Sequence, residues 1–329
     1  MRVVIPDDYQ RASAALPALH AQGDGLQIEV LGALPDDFEQ RIALLKDAQA
    51  LVLIRERTQI DAALLAHLPR LLLISQTGKI GAHVDVTACT AHGVAIAEGV
   101  GSPIAPAELT WALIMAAMRR LPDYAAALQT GRWQDVGDAR LGRTLHGRTL
   151  GIWSYGKIGR LVAGYGRAFG MQVLVWGGDA ARAAAQADGY AMAPSCEALF
   201  ERSDVLTLHR RLVPGTRHQL DGALLSRMKS DALLVNTSRA ELIAPGALLA
   251  ALDAGHPGMA ALDVFEHEPA KPQHEPLLSH PRVLAMPHLG YVEQDSYALY
   301  LGTALDNVRA FATGTPQNIL NPEALSAHR

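Results

Sequence analysis

The feature that most constrains the fold is an alternation of short apolar runs with stretches of helical period, met twice along the chain. In the first hundred residues the runs are RVVIP (2–6), LQIEVL (26–31), ALVLI (50–54), LLLIS (71–75) and VAIA (94–97), with helical stretches between them, one around Asp61 to His67. Strands alternating with helices lead to a parallel sheet covered on both faces. The second series reads TLGIWS (149–154), QVLVW (172–176), DVLTLH (204–209), ALLVNTS (232–238), MAALDV (259–264) and VLAMP (283–287). Six strands with intervening helices match a doubly wound dinucleotide-binding domain. Between the two series, a long helix is expected from near Pro106 through AELTWALIMAAMRRL, with Ser102 or Pro103 shaping its start. A polar loop, RWQDVGDARLGRTLHGR, follows it. The last helix is expected over about Asp295 to Ala312. It ends at Gly314, a suitable C-cap, and the tail PQNILNPEAL is read as returning to the first domain.

Composition narrows the class. The chain has 329 residues, enough for about two domains, and is 49% hydrophobic and 19% charged, which excludes a disordered chain. Its net charge of −4 offers no global basic surface, so a nucleic-acid partner is not expected. Cys89 and Cys196 are the only two cysteines, too few for a disulfide framework or a thiolate metal site, and no metal is expected. The longest apolar helical run, LTWALIMAAM, is half of the roughly 20 residues a membrane span needs. The N-terminal MRVVIPDDYQ is too short in its apolar run for a signal peptide and reads as a first strand. A soluble, cytoplasmic protein without a membrane partner is the expectation.

One turn carries a partial phosphate-binding fingerprint. Ser154-Tyr155-Gly156-Lys157-Ile158-Gly159 follows an apolar strand and opens a helix. Gly156 would let the backbone approach a pyrophosphate, Gly159 would let helix and strand pack closely, and the amides of Lys157 and Ile158 would face the phosphates. Serine stands where the first glycine is usual. The next strand should end in an acid if the ribose is that of NAD, but Gly177 and Gly178 follow it, and the first acid is Asp179. NAD is the expected cofactor, with NADP left open.

In such a sheet, ligands bind outside the carboxyl ends of the strands. Three ionisable residues lie just past successive runs: Arg239 after ALLVNTS, Glu268 after MAALDV and His288 after VLAMP. Taken singly, each fits a surface or structural role; their joint placement at one rim makes the case for chemistry. A bidentate arginine suits a substrate carboxylate. Histidine can protonate a carbonyl oxygen as hydride reaches its carbon. A neighbouring carboxylate orients the imidazole and favours its protonated form. That is the set for interconverting a 2-hydroxy acid and a 2-keto acid. A cofactor-sensing, corepressor-like binding protein on the same fold is the alternative.

At these residues the chain resembles the D-isomer-specific 2-hydroxyacid dehydrogenases, over nearly its whole length. ALLVNTSRAELI looks like the family's strand ending in its arginine, AALDVFEHEP like its aspartate-plus-five glutamate segment, which selects Glu268 over Glu266, and MPHLG like its proline–histidine–glycine segment. The resemblance implies an α/β protein of two doubly wound parallel-sheet domains. In it a Rossmann-type NAD-binding domain (102–289) is inserted into a flavodoxin-like substrate domain (1–101 and 290–329). It implies that Thr237, Ser238 and Asp263 lie near the nicotinamide, that Gly290 binds the cofactor, and that His209 and Thr216 line the cofactor cleft. It also implies that Gly78, Lys79 and Ile80, in SQTGKIGAHVD, hold the substrate carboxylate, and that the protein is a homodimer through the cofactor domain. Gln76 stands where many members carry arginine. Lys79 either attracts a second anionic group of the substrate or points to solvent.

Overall fold

The computed structural model describes residues 1–16, 19, 25–137 and 141–328, so positions 138–140 of the polar loop lie outside the described residues. The chain divides into two compact units, Met1–Ser102 with Glu293–Arg329, and Pro103–Val292.

The first unit holds five parallel strands, β1 (Arg2–Ile5), β2 (Gln27–Val30), β3 (Ala50–Leu53), β4 (Leu73–Gln76) and β5 (Ala95–Ala97), in the order β2-β1-β3-β4-β5. Every residue of β3, β4 and β5 is buried, as continuous apolar runs in a two-sided parallel sheet must be. Asp37, Asp61 and Asp85 each cap the helix that follows, accepting from the backbone N–H three residues on. The tail bonds to β5: Leu320 N–H donates to Ile96 O at 2.7 Å, and Asn321 Oδ1 accepts from Ile96 N–H at 2.7 Å. The helix Gln294–Ala312 belongs here too, and Ser75 Oγ on β4 donates to its Ala304 carbonyl at 2.8 Å. Gly314, at φ +78°, ends it.

The second unit holds β6 (Thr149–Trp153), β7 (Gln172–Trp176), β8 (Ala191–Met192), β9 (Val205–Leu208), β10 (Leu233–Asn236), β11 (Met259–Leu262) and β12 (Val283–Ala285), all parallel. Their order is β12-β11-β10-β9-β6-β7-β8. The sheet thus has seven strands rather than the six expected. The two-residue β8 is too short to show any hydrophobic period. The long helix begins at Ile104, and left-handed Arg120 separates it from a second helix, Leu121–Gln129, which precedes the polar loop. Two apolar cores lie on the sheet's two faces. One is built around Leu150, Ile152, Val175 and Val235, the other around Leu206, Leu208, Leu234 and Phe200. Strand order reverses between β6 and β9, and a crevice opens at the carboxyl ends of such a pair.

Candidate active site

The phosphate-loop turn leaves β6 at this reversal point. Ser154 takes φ +82°, the left-handed conformation that glycine adopts at no steric cost, and its N–H donates to Trp176 O at 2.7 Å. Tyr155 turns its side chain inward. Its hydroxyl donates to Asp188 Oδ2 at 2.7 Å, and Arg160 Nε lies 2.9 Å from the same oxygen. Burial, then the hydrogen bond to Asp188, pushes the phenol up to about 12. A Cβ on Gly156 would meet nothing within 4 Å, whereas one on Gly159 would lie 2.5 Å from the Ser154 carbonyl oxygen. One glycine leaves the loop open, and the other lets helix Lys157–Ala168 pack under it. No side chain caps that helix, so the first-turn amides of Lys157 and Ile158 remain for an anion.

Across the reversal, His209 follows β9. Its Nε2 is 3.0 Å from Thr207 Oγ1, while Nδ1 is buried without a hydrogen-bond partner among the described residues. Burial holds the imidazole down at about 3, hence neutral. The open Gly156, the uncapped helix and this unpartnered nitrogen suit a bound dinucleotide. Thr216 serves its own loop, donating to Arg211 O at 2.8 Å and accepting from Val213 N–H at 2.8 Å. At the end of β7, Gly178 opens the helix Asp179–Ala187. Arg182 lies 4.8 Å over the Trp176 ring and ion-pairs with Asp179.

The three ionisable residues lie past β10, β11 and β12, which are neighbours in register, Asn236 opposite Leu262 and Leu262 opposite Ala285. Asn236, buried at the end of β10, shapes the arginine turn: its Nδ2 donates to Arg239 O and its Oδ1 accepts from Ser238 N–H, both at 3.0 Å. Ser238 Oγ donates to Leu208 O at 2.6 Å, and Thr237 shares a 2.7 Å hydroxyl contact with Thr110. Arg239 Nη1 donates to Ser238 O at 2.6 Å. Asp263, buried after β11, accepts from the amides of Leu289 (2.7 Å) and Gly290 (2.9 Å), so it ties down the loop that carries His288. Burial raises its carboxyl to about 6, against the pull of those amides and of His288. His288 itself sits at φ +54°. Its Nδ1 is 2.6 Å from Glu268 Oε2, and Glu268 Oε1 accepts from Phe265 N–H at 3.0 Å. The imidazole packs edge-on to Tyr291, 5.3 Å between centroids, and keeps Nε2 for other partners. Glu266 instead lines an apolar cavity of about 240 Å³ beside Ile243, Leu248 and Phe265.

In the first unit, Gly78 takes φ +100°, and a Cβ there would lie 1.9 Å from Arg55 Nη1. Lys79 is largely exposed, with Nζ 2.7 Å from Glu98 Oε2, and Ile80 N–H donates to Glu98 Oε1 at 3.0 Å. Gln76, buried, bridges Arg55 O (3.0 Å) and His83 Nε2 (3.2 Å). Sequence reasoning missed Asn236, Asp188 and Glu98. Only Asn236 carries a local signal, a polar residue closing an apolar strand. Among the described residues no group of three or more potential metal ligands occurs, and no helix is long and apolar enough to cross a membrane.

The family model for "D-isomer specific 2-hydroxyacid dehydrogenase, NAD binding domain" matches residues 111–290. The chain is 35% identical over 303 residues to a glyoxylate reductase of Aeropyrum pernix, covering 90% of this chain and 89% of the relative. It spans about half the length of the curated D-3-phosphoglycerate dehydrogenases it also matches. Among solved structures, an oxidoreductase from Ralstonia solanacearum named for D-3-phosphoglycerate dehydrogenase superposes with TM-score 0.96 at 48% identity, covering 100% of this chain and 99% of that one. A phosphoglycerate oxidoreductase from Vibrio cholerae gives 0.92 at 51% identity, with coverages of 95% and 99%.

Proposed function

Because the chain belongs to the D-isomer specific 2-hydroxyacid dehydrogenases, oxidoreductases that use NAD, we propose that it interconverts a D-2-hydroxy acid and its 2-oxo acid with Arg239, Glu268 and His288 as the working side chains. The observation that carries this reading is the 2.6 Å contact of His288 Nδ1 with Glu268, on the loops after two strands of which the first neighbours β10, the strand that leads to Arg239.

With Nδ1 held by the carboxylate, the other ring nitrogen of His288 is the one that moves a proton. In reduction, Nε2–H donates to the carbonyl oxygen as the carbon gains hydride; in oxidation, Nε2 takes the proton from the hydroxyl. Arg239 offers its planar fork to the substrate carboxylate. Glu268, fixed by the Phe265 amide, sets the tautomer and direction of the ring. When bound, NADH would supply the hydride. Gly156, Lys157 and Ile158 would hold its pyrophosphate. Tyr155 contributes backbone to that loop, and Gly177 and Gly178 would border the ribose. His209, Thr216, Thr237, Ser238, Asp263 and Gly290 form the rest of the cofactor cleft. Gly78 and Lys79, with Ile80, bind the substrate carboxylate through their amides. The Ile80 amide must exchange Glu98 for substrate to take part.

The unit Pro103–Val292 accordingly serves the cofactor, and Met1–Ser102 with Glu293–Arg329 serves the substrate. A homodimer through the cofactor domain accords with the exposed apolar side chains Leu121, Leu128, Trp133 and Leu141. A cytoplasmic location accords with the free thiols of Cys89 and Cys196. The test is a screen of 2-oxo acids against NADH and NADPH, repeated with His288→Ala. Turnover is expected with NADH and is nearly abolished in the variant, with NADH affinity retained. Wild-type turnover by His288→Ala on the best substrate would remove the proton-transfer role.

A further inference from the structure

The loop 78–80 is flanked by two cations, and each stands beside a glutamate. Lys79 Nζ lies 2.7 Å from Glu98 Oε2, and Arg55 Nη2 lies 3.7 Å from Glu56 Oε1. Arg57, on the same strand end as Arg55, donates to the Asp7 carbonyl at 2.8 Å and lies 4.4 Å over the Tyr9 ring. Lys79 and Arg55 are thus each paired with a carboxylate, and Arg57 is engaged by a backbone carbonyl and an aromatic ring. Glu98 does more than balance Lys79. Its second oxygen accepts from the Ile80 amide at 3.0 Å, so one carboxylate engages both a cation and a backbone donor of the same loop. Glu98 is itself mostly shielded, its side chain 19% exposed against 72% for Lys79.

A phosphate or second carboxylate needs cations and amides that are not already committed. The Ile80 amide already leaves Glu98 for the carboxylate of any 2-oxo acid, so a second anion drawn to Lys79 would take the remaining partner of Glu98 and leave the glutamate next to added negative charge. An uncharged tail leaves the Lys79–Glu98 pair in place. Gln76 adds to the same asymmetry: it is neutral, buried, and occupied with Arg55 O and His83.

We propose that Glu98 determines the substrate class: the site takes 2-oxo acids with one negative charge and an uncharged tail, and discriminates against phosphorylated and dicarboxylic ones. This rests on the reading of residues 78–80 as the substrate loop. It separates the chain from the substrate in the name of the Vibrio cholerae phosphoglycerate oxidoreductase, despite 51% identity.

The test compares hydroxypyruvate with 3-phosphohydroxypyruvate, which share a carbon skeleton and differ by the phosphate. NADH oxidation by the wild-type protein is expected to favour hydroxypyruvate in kcat/KM by about tenfold or more, the ratio that one modest interaction commands. Glu98→Gln keeps an oxygen for the Ile80 amide but frees the Lys79 charge, so it should shrink that preference by about tenfold, a comparable single interaction. Adding Lys79→Ala to Glu98→Gln should restore the preference. Equal use of the two substrates by the wild type would overturn the proposal, and so would a preference that Glu98→Gln leaves unchanged. Failure to reduce any 2-oxo acid, hydroxypyruvate and glyoxylate included, would instead overturn the dehydrogenase reading on which the proposal rests.

Discussion

Ser154→Gly should stabilise the protein. Ser154 holds φ +82°, and a side-chain-bearing residue in the left-handed region costs about 1–2 kcal/mol relative to the right-handed one. Its N–H bond to Trp176 O is a backbone contact that glycine keeps, and its hydroxyl makes no hydrogen bond among the described residues. The substitution therefore removes strain without removing a contact. Glycine also loosens the unfolded chain, which offsets about 0.4–1 kcal/mol of the gain. The difference leaves a net stabilisation of up to about 1.6 kcal/mol. In a unit of this size that raises the melting temperature by up to roughly 6 °C. Thermal unfolding of the two proteins side by side gives the shift, and a fluorescence titration with NADH gives the affinity. Affinity is expected to stay within about threefold, a change of under 1 kcal/mol. A lower melting temperature for Ser154→Gly would refute the account of this turn, because it would mean that the serine side chain makes a contact outweighing its strain.

Gly159→Ala is the converse case. Its Cβ would lie 2.5 Å from the Ser154 carbonyl oxygen, a backbone atom, and overpacking of this kind costs about 1–3 kcal/mol. NADH affinity should fall with stability, and an unchanged dissociation constant would show that the helix can shift freely. Arg239→Lys removes the fork and should raise KM for the 2-oxo acid by roughly 10–100-fold with NADH binding unchanged; a KM within about twofold would reject the carboxylate role. Asp263 predicts a pH dependence. Its carboxyl, raised from 3.8 to about 6, binds a proton more tightly in the folded protein than in the unfolded chain, so its contribution to stability falls as pH rises between those values. Going from pH 7 to pH 5, the wild type should gain about 1 kcal/mol relative to Asp263→Asn. Melting temperatures at the two pH values measure it, and parallel behaviour of the two proteins would contradict the raised value.

Much of the frame is legible in the residues because a parallel sheet buried on both faces needs uninterrupted apolar runs. ALVLI and ALLVNTS announce β3 and β10 with no further information. The resemblance to the family's aspartate-plus-five segment points to Glu268, and Glu268 is the carboxylate beside His288, while Glu266 lines a cavity. What is not legible depends on distant partners. Tyr155 finds Asp188 33 residues away, and Ile80 finds Glu98 18 residues away, through loop geometry that no local period encodes. β8 has two residues and so no pattern to read. The turn at Ser154 is a third kind of gap, since the sequence lacks the expected glycine yet the chain adopts the glycine conformation.

The helix Gln294–Ala312 bears on how the protein is made. It packs on β3 and β4, strands that leave the ribosome more than 200 residues earlier, and Asn321 ties the tail to Ile96. Until those last segments emerge, β3 and β4 lack the helix that packs on them. The inserted unit, contiguous from Pro103 to Val292, is complete well before then. Synthesis thus yields a finished cofactor-type sheet beside an open one, a state in which chaperones have an apolar face to hold and a stalled or truncated chain has one with which to aggregate.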